Sequence, residues 1–162
     1  MVFRRRPPKR SELAGYSSVL VPIGGTSADH AALQLAALLL RENPGGQVAL
    51  LHVIEVPFDR QLDAEDDAAL ADANRMLEEA ETFLHGHAIE TRTSTVQARA
   101  AGAAIVDDAV EQGADLIVMA LPYKQRFGGQ WDAGRTVPYV MRNSTAPVWC
   151  LRAETEELAL TP

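Results

Sequence analysis

The sequence predicts one α/β domain built on an open five-stranded parallel sheet with helices on both faces. Three observations predict it. Five short β-like runs alternate with helical segments, the pattern of right-handed βαβ crossovers. The fourth run, Asp115–Ala120, is almost wholly apolar, as a strand covered on both faces must be. A chain of 162 residues suits a single hydrophobic core.

Each element has its own signal. Ser18-Val-Leu-Val-Pro-Ile23 is the first strand, closed by Gly24-Gly25. Thr26 or Ser27 is placed to cap a helix that runs through Arg41, with Ala31, Leu35, Leu38 and Leu39 among its apolar positions. Asn43-Pro44-Gly45-Gly46 stops it. Gln47–Val56 is the second strand, ended by Pro57. Ala64–Leu84 reads as a long amphipathic helix with Leu70, Met76, Leu77, Ala80 and Leu84 on its buried face. The acids of Asp63–Asp67 suit the dipole at its start.

Ala88–Val96 is the third strand, rich in β-branched residues. Gly102–Gln112 is a helix with Ile105, Val106 and Val110 inward, ended by Gly113. After the fourth strand a polar, glycine-containing loop spans Leu121 to about Ala133. A helix over Gly134–Arg142 and a last strand over Ala146–Leu151 complete the domain. The expected organisation is a basic flexible arm over 1–15, the folded domain over 16–152 and an acidic flexible tail over 153–162.

Composition narrows the function classes. No apolar run is long enough to span a bilayer, the longest being the Ala/Leu-rich stretch Ala31–Leu40. Arg4–Arg6 lead into Pro7-Pro8 and a polar stretch, which does not make a signal peptide. A single cysteine, Cys150, excludes an internal disulfide framework, and a cytoplasmic location is expected. The first ten residues hold five basic groups, while the rest sets ten basic against 22 acidic residues. So acidic a body repels polyanions, and no specific nucleic-acid partner is expected.

Four segments in register carry a resemblance. Val19-Leu-Val-Pro-Ile23, Leu50-Leu-His-Val-Ile54, Ala114-Asp-Leu-Ile-Val-Met119 and Ala146-Pro-Val148 resemble the landmarks of the universal stress proteins, over roughly Ser17 to Arg152. The resemblance implies the adenine-nucleotide α-hydrolase-like fold, with a sheet ordered 3-2-1-4-5. It implies a homodimer through the last strand, here Val148, Trp149 and Leu151. It also implies, for one branch of the family, ATP bound between the loops after strands one and four.

That branch carries Pro-x-Asp-Gly-Ser after strand one and G-x2-G-x9-G-[ST] after strand four. This sequence keeps Pro22 and Met119 but places Gly24 where the aspartate belongs, with Ala120 and Tyr123 at the first two glycine positions. Ten residues rather than nine then precede Gly134, which is followed by Arg135-Thr136. A tyrosine where backbone must approach phosphate argues against the standard mode of ATP binding. The loop instead resembles a variant in stress-protein domains associated with amino-acid permeases, which adds a membrane transporter to the conceivable protein partners.

The expected outcome is an altered site. Pro22, Ile23, Gly24, Val53, Met119 and Ala120 would line its nucleoside side; Lys124, Arg126, Gly134, Arg135 and Thr136 would hold phosphate at a helix start. Lys124, Arg126, Arg135 and Arg142 are four of the body's ten basic residues, gathered at this mouth of an acidic protein. Tyr123, Phe127 and Trp131 would offer a stacking face or else close the end of the sheet. No cofactor is fixed by these residues; ATP, AMP and cyclic nucleotides are the candidates.

Other constellations carry less. His85 and His87 suit a solvated helix end and His52 a satisfied core position, so no metal site is expected. Ser17, Ser18, Thr26 and Ser27 are placed near the ligand end but form no nucleophile elbow. Cys150 belongs to a strand expected to be buried, and Arg99 to the surface near the same sheet edge. The reading is a non-enzymatic, dimeric, ligand-responsive regulatory module. A ligand-free dimeric scaffold is the alternative, and a slow ATPase the third.

Overall fold

A computed structural model describes residues 15–41, 43–63, 66–122 and 134–153. In chain order these form β1 (Ser18–Pro22), α1 (Asp29–Leu40), β2 (Gln47–Glu55), α2 (Asp67–His85), β3 (Glu90–Ala98), α3 (Ala101–Glu111), β4 (Leu116–Pro122), α4 (Thr136–Asn143) and β5 (Val148–Ala153). The sheet is parallel throughout, ordered β3-β2-β1-β4-β5. All of the expected arm but Gly15, and all of the expected tail but Ala153, lie outside the described residues.

Strand periodicity sorts the core into two layers. Val19 and Val21 of β1, Val48 and Leu50 of β2, and Leu116 and Val118 of β4 face α1 and α2. Their neighbours Leu20, Ala49, Leu51, Ile117 and Met119 face α3 and α4. Leu20, Leu50, Leu51, Leu116 and Ile117 are among the largest fully buried side chains. Each such burial contributes on the order of 2 kcal/mol. The central strands are therefore apolar on both faces, whereas the edge strand β3 is mixed and largely half-exposed.

Several local expectations are corrected. Neither Thr26 nor Ser27 caps α1 through its side chain; the cap position is Ala28. Leu38 is 59% exposed, because the helix turns Ala32, Leu33, Ala36, Ala37 and Leu40 to the sheet instead. Leu70 and Val110, both expected inward, are exposed, lying off the stripes that α2 and α3 press on the sheet. Helix α2 starts at Asp67, its cap Asp66 accepting the Ala69 N–H at 3.0 Å. Strand β3 starts later and runs further than expected, since Ala88 is spent in the turn after α2 at φ +58°. Cys150 is exposed, because β5 is a sheet edge, although partial burial still raises its thiol above the ordinary value.

Candidate functional site

The strand order reverses between β1 and β4, where the crossover connections leave to opposite faces. An α/β sheet opens a crevice at the carboxyl ends of its strands at such a point. Here a cleft of about 380 Å³ lies there. Of the residues nominated from sequence, Pro22, Ile23, Gly24, Val53, Met119, Ala120 and Thr136 line it. Arg135 does not; it lines an adjoining hollow of about 370 Å³ that shares Glu55, Ala101 and Thr136 with the cleft. Gly134, exposed at φ +67°, lines neither. Lys124 and Arg126, with Tyr123, Phe127 and Trp131, lie outside the described residues.

The turn after β1 forms one wall. Gly25 takes φ +73°, which curls three successive backbone N–H groups inward. All three donate to one oxygen of Asp29: Gly24 at 3.0 Å, Gly25 at 2.7 Å and Thr26 at 3.1 Å. The Thr26 hydroxyl donates to the other oxygen at 3.1 Å. This backbone nest, of a kind suited to a phosphate, is thus filled by a carboxylate from the first turn of α1. Burial pushes the Asp29 carboxyl above the ordinary value, against the lowering pull of these hydrogen bonds.

Two more polar groups line the cleft. His52 places Nδ1 2.9 Å from the Ile23 carbonyl oxygen. The contact makes Nδ1 the protonated nitrogen of the neutral ring and Nε2 the acceptor. The satisfied histidine expected from sequence is thus also a wall of the cleft. Glu55, at the end of β2, accepts the Ala101 N–H at 2.7 Å through Oε1 and so occupies the start of α3. Among the described residues that line the cleft, Asp29 and Glu55 are the only Asp or Glu and there is no Lys or Arg.

Arg99 sits beside the mouth rather than within the cleft. Its guanidinium donates to the carbonyls of Val56, Pro57 and Arg60 and lies 5.4 Å from the Phe58 ring centre. It pins the β2–α2 connection, a structural role that outweighs simple surface exposure. Ser17 and Ser18 prove to be at the opposite end of β1, bonded to Asp115. Thr26 and Ser27 remain near the cleft, Thr26 in its wall and Ser27 lining a separate 320 Å³ hollow between α1 and α2. Among the described residues no three His, Cys, Asp or Glu side chains group as metal ligands, and no helix is long and apolar enough to cross a membrane.

The sequence alone does not single out Asp29 and Glu55. An aspartate a few residues after Gly24-Gly25-Thr26 was the available signal for the first. Glu55 had none, because it acts on a helix start 46 residues away.

Among curated proteins no sequence matches the chain. Solved structures do. A universal stress protein from Archaeoglobus fulgidus in complex with dAMP is 23% identical, with a TM-score of 0.62 over 83% of this chain and 97% of that one. A universal stress protein in complex with cAMP gives 19% and 0.64, over 85% and 97%. A family protein from Arabidopsis thaliana with AMP bound gives 13% and 0.61, over 84% and 91%. These likenesses establish the fold. The model of the universal stress protein family matches residues 15–152, nearly the whole described domain. The chain belongs to the universal stress protein family.

Proposed function

We propose that this protein is a non-enzymatic regulatory module that binds an adenine nucleotide in the cleft past β1, β2 and β4. The observation that carries this is the cleft itself: an apolar floor of Leu51, Val53, Ile105 and Met119, of a size to take a nucleoside, at the strand-order reversal. The dAMP, cAMP and AMP complexes of similar structures support the choice of ligand class. The absence of catalysis is inferred from the state of Asp29. Four donors hold it, so it is poorly placed to act as a general base.

A thermal-shift screen with AMP, cAMP, ADP and ATP tests the reading. A bound ligand at a hundred times its Kd raises stability by about 2.7 kcal/mol, a clear shift in Tm. Val53→Trp, which fills the cleft, removes that shift if the site is correct. No shift with any nucleotide would instead favour the ligand-free scaffold. Hydrolysis of ATP by wild type but not by Val53→Trp would overturn the non-enzymatic assignment.

The module is further proposed to dimerise through β5. Trp149 is half-buried against Tyr16, ring centres 5.8 Å apart and nearly perpendicular, on a strand at the edge of the sheet. Sedimentation of Trp149→Ala should show a weakened dimer, and an unchanged association constant refutes the assignment.

A further inference from the structure

We propose that a hollow between β3 and α3 binds a linear aliphatic amine, its ammonium paired with Asp108 and its hydrocarbon laid along the alanines of α3. The site shares no lining residue with the nucleotide cleft and does not depend on it. The hollow, of about 360 Å³, opens where the end of β3 and the turn after it meet α3. Its α3 wall is Ala100, Ala103, Ala104, Asp107, Asp108 and Glu111, the three- and four-residue spacing of one helix face. The wall changes character along its length. Alanines at its start, joined by Val96 and Leu62 from other elements, give an apolar part; the three acids about two turns on give a negative end.

Asp108 is the residue that points to a ligand. It is 6% exposed, yet its Oδ2 meets no hydrogen-bond partner among the described residues. An unmet carboxyl oxygen is costly at such a site. Burial raises its carboxyl above the ordinary value, Gln112 opposes this through a hydrogen bond, and the charge of Glu111 adds to it. An ammonium in the hollow supplies the donor that Oδ2 lacks and offsets the charges of Asp107 and Glu111 as well. Arg99 also lines the hollow, but it belongs to the turn at the alanine end and donates to three backbone carbonyls there. The apolar part sets the ligand class. A hydrated metal ion has no use for it, and no three His, Cys, Asp or Glu among the described residues group as metal ligands. An alkyl chain does use it, since every buried methylene adds to affinity.

Titration of the full chain with n-pentylammonium, followed by amide NMR shifts, tests this against n-pentanol as the neutral analogue. The alcohol should bind at least about tenfold more weakly than the amine. Asp108→Asn keeps the shape of the side chain and should weaken amine binding at least about tenfold. Ala103→Leu keeps every charge but fills the apolar part, and should weaken binding several-fold. Melting curves check the fold of both variants, and each carries the test if the other fails to fold. No amine binding by the wild type, equal binding of the alcohol, or an affinity unmoved by Asp108→Asn overturns the proposal. Binding unaffected by Ala103→Leu overturns it too, since that marks a counterion on an acidic surface only.

Discussion

Two turns adjoin residues of the cleft wall, and each has a glycine in the left-handed region: Gly25 at φ +73° after β1, and Gly134 at φ +67° before α4. Their surroundings differ. A Cβ on Gly25 would lie 2.6 Å from the Met76 sulfur, whereas one on Gly134 would meet none of the described residues within 4 Å. The first turn closes on the Asp29 carboxylate; the second opens a helix whose cap, Arg135, makes no side-chain capping bond. The same backbone conformation is thus a packed, internally neutralised wall on one side and, on the other, a helix start with no side-chain cap. Local chain geometry makes an anion site available, and the neighbours decide whether a ligand can have it.

The contrast can be broken at four points. Gly25→Ala should do the most damage, about 2 kcal/mol in denaturant unfolding, since it adds left-handed strain to a displaced Met76. A loss below that of Gly134→Ala would mean that the β1 turn is not the more constrained one. Asp29→Ala should cost about 1.5 kcal/mol by removing the acceptor of three backbone N–H groups. Stability equal to wild type would show that water replaces the carboxylate without loss.

Asp108 is the counterpart of Asp29, an aspartate that burial has not compensated. It is 6% exposed on α3, and Oδ2 meets no hydrogen-bond partner among the described residues. Burial raises its carboxyl above the ordinary value, opposed by a hydrogen bond to Gln112 and reinforced by the nearby charge of Glu111. The folded state therefore holds this proton more tightly than the unfolded chain does. That contribution to stability is complete below the ordinary aspartate value and is lost as pH rises through the raised one. Asp108→Leu is accordingly expected to stabilise by about 1 kcal/mol at pH 7, with the gain shrinking toward acid in Tm measurements. A gain independent of pH would assign the effect to packing instead.

Gly134→Ala should be the mildest change, no more than about 1 kcal/mol, because backbone strain opposes the added methyl and none of the described residues lies within 4 Å of it. A larger loss would reveal that this turn is as tightly built as the one after β1.

Much of this was legible beforehand for identifiable reasons. Val19–Val21, Val48–Leu51 and Leu116–Met119 are apolar on both faces, which only a central parallel strand requires. The floor of the cleft followed from them, because the ends of such strands can be located from the runs alone. The helix faces were less legible: α1 carries alanine and leucine around most of its circumference, so nothing local distinguishes the buried Leu33 from the exposed Leu38. Likewise β5 reads as a core strand until its place at the sheet edge is known, which is why Cys150 is exposed.

The sequence by itself determined the alternating order of elements, the central apolar strands and the positions of the two glycine-bearing turns. These follow from side-chain periodicity and from residues whose backbone preferences act over a few positions. Only the tertiary structure decided the occupants of the anion-attracting backbone. Asp29 reaches back to Gly24 and Glu55 reaches across to Ala101, contacts set by how a helix start and a strand end are brought together in space. Hydrogen bonds of that kind have no period and no motif, because their partners become neighbours only once the sheet has formed.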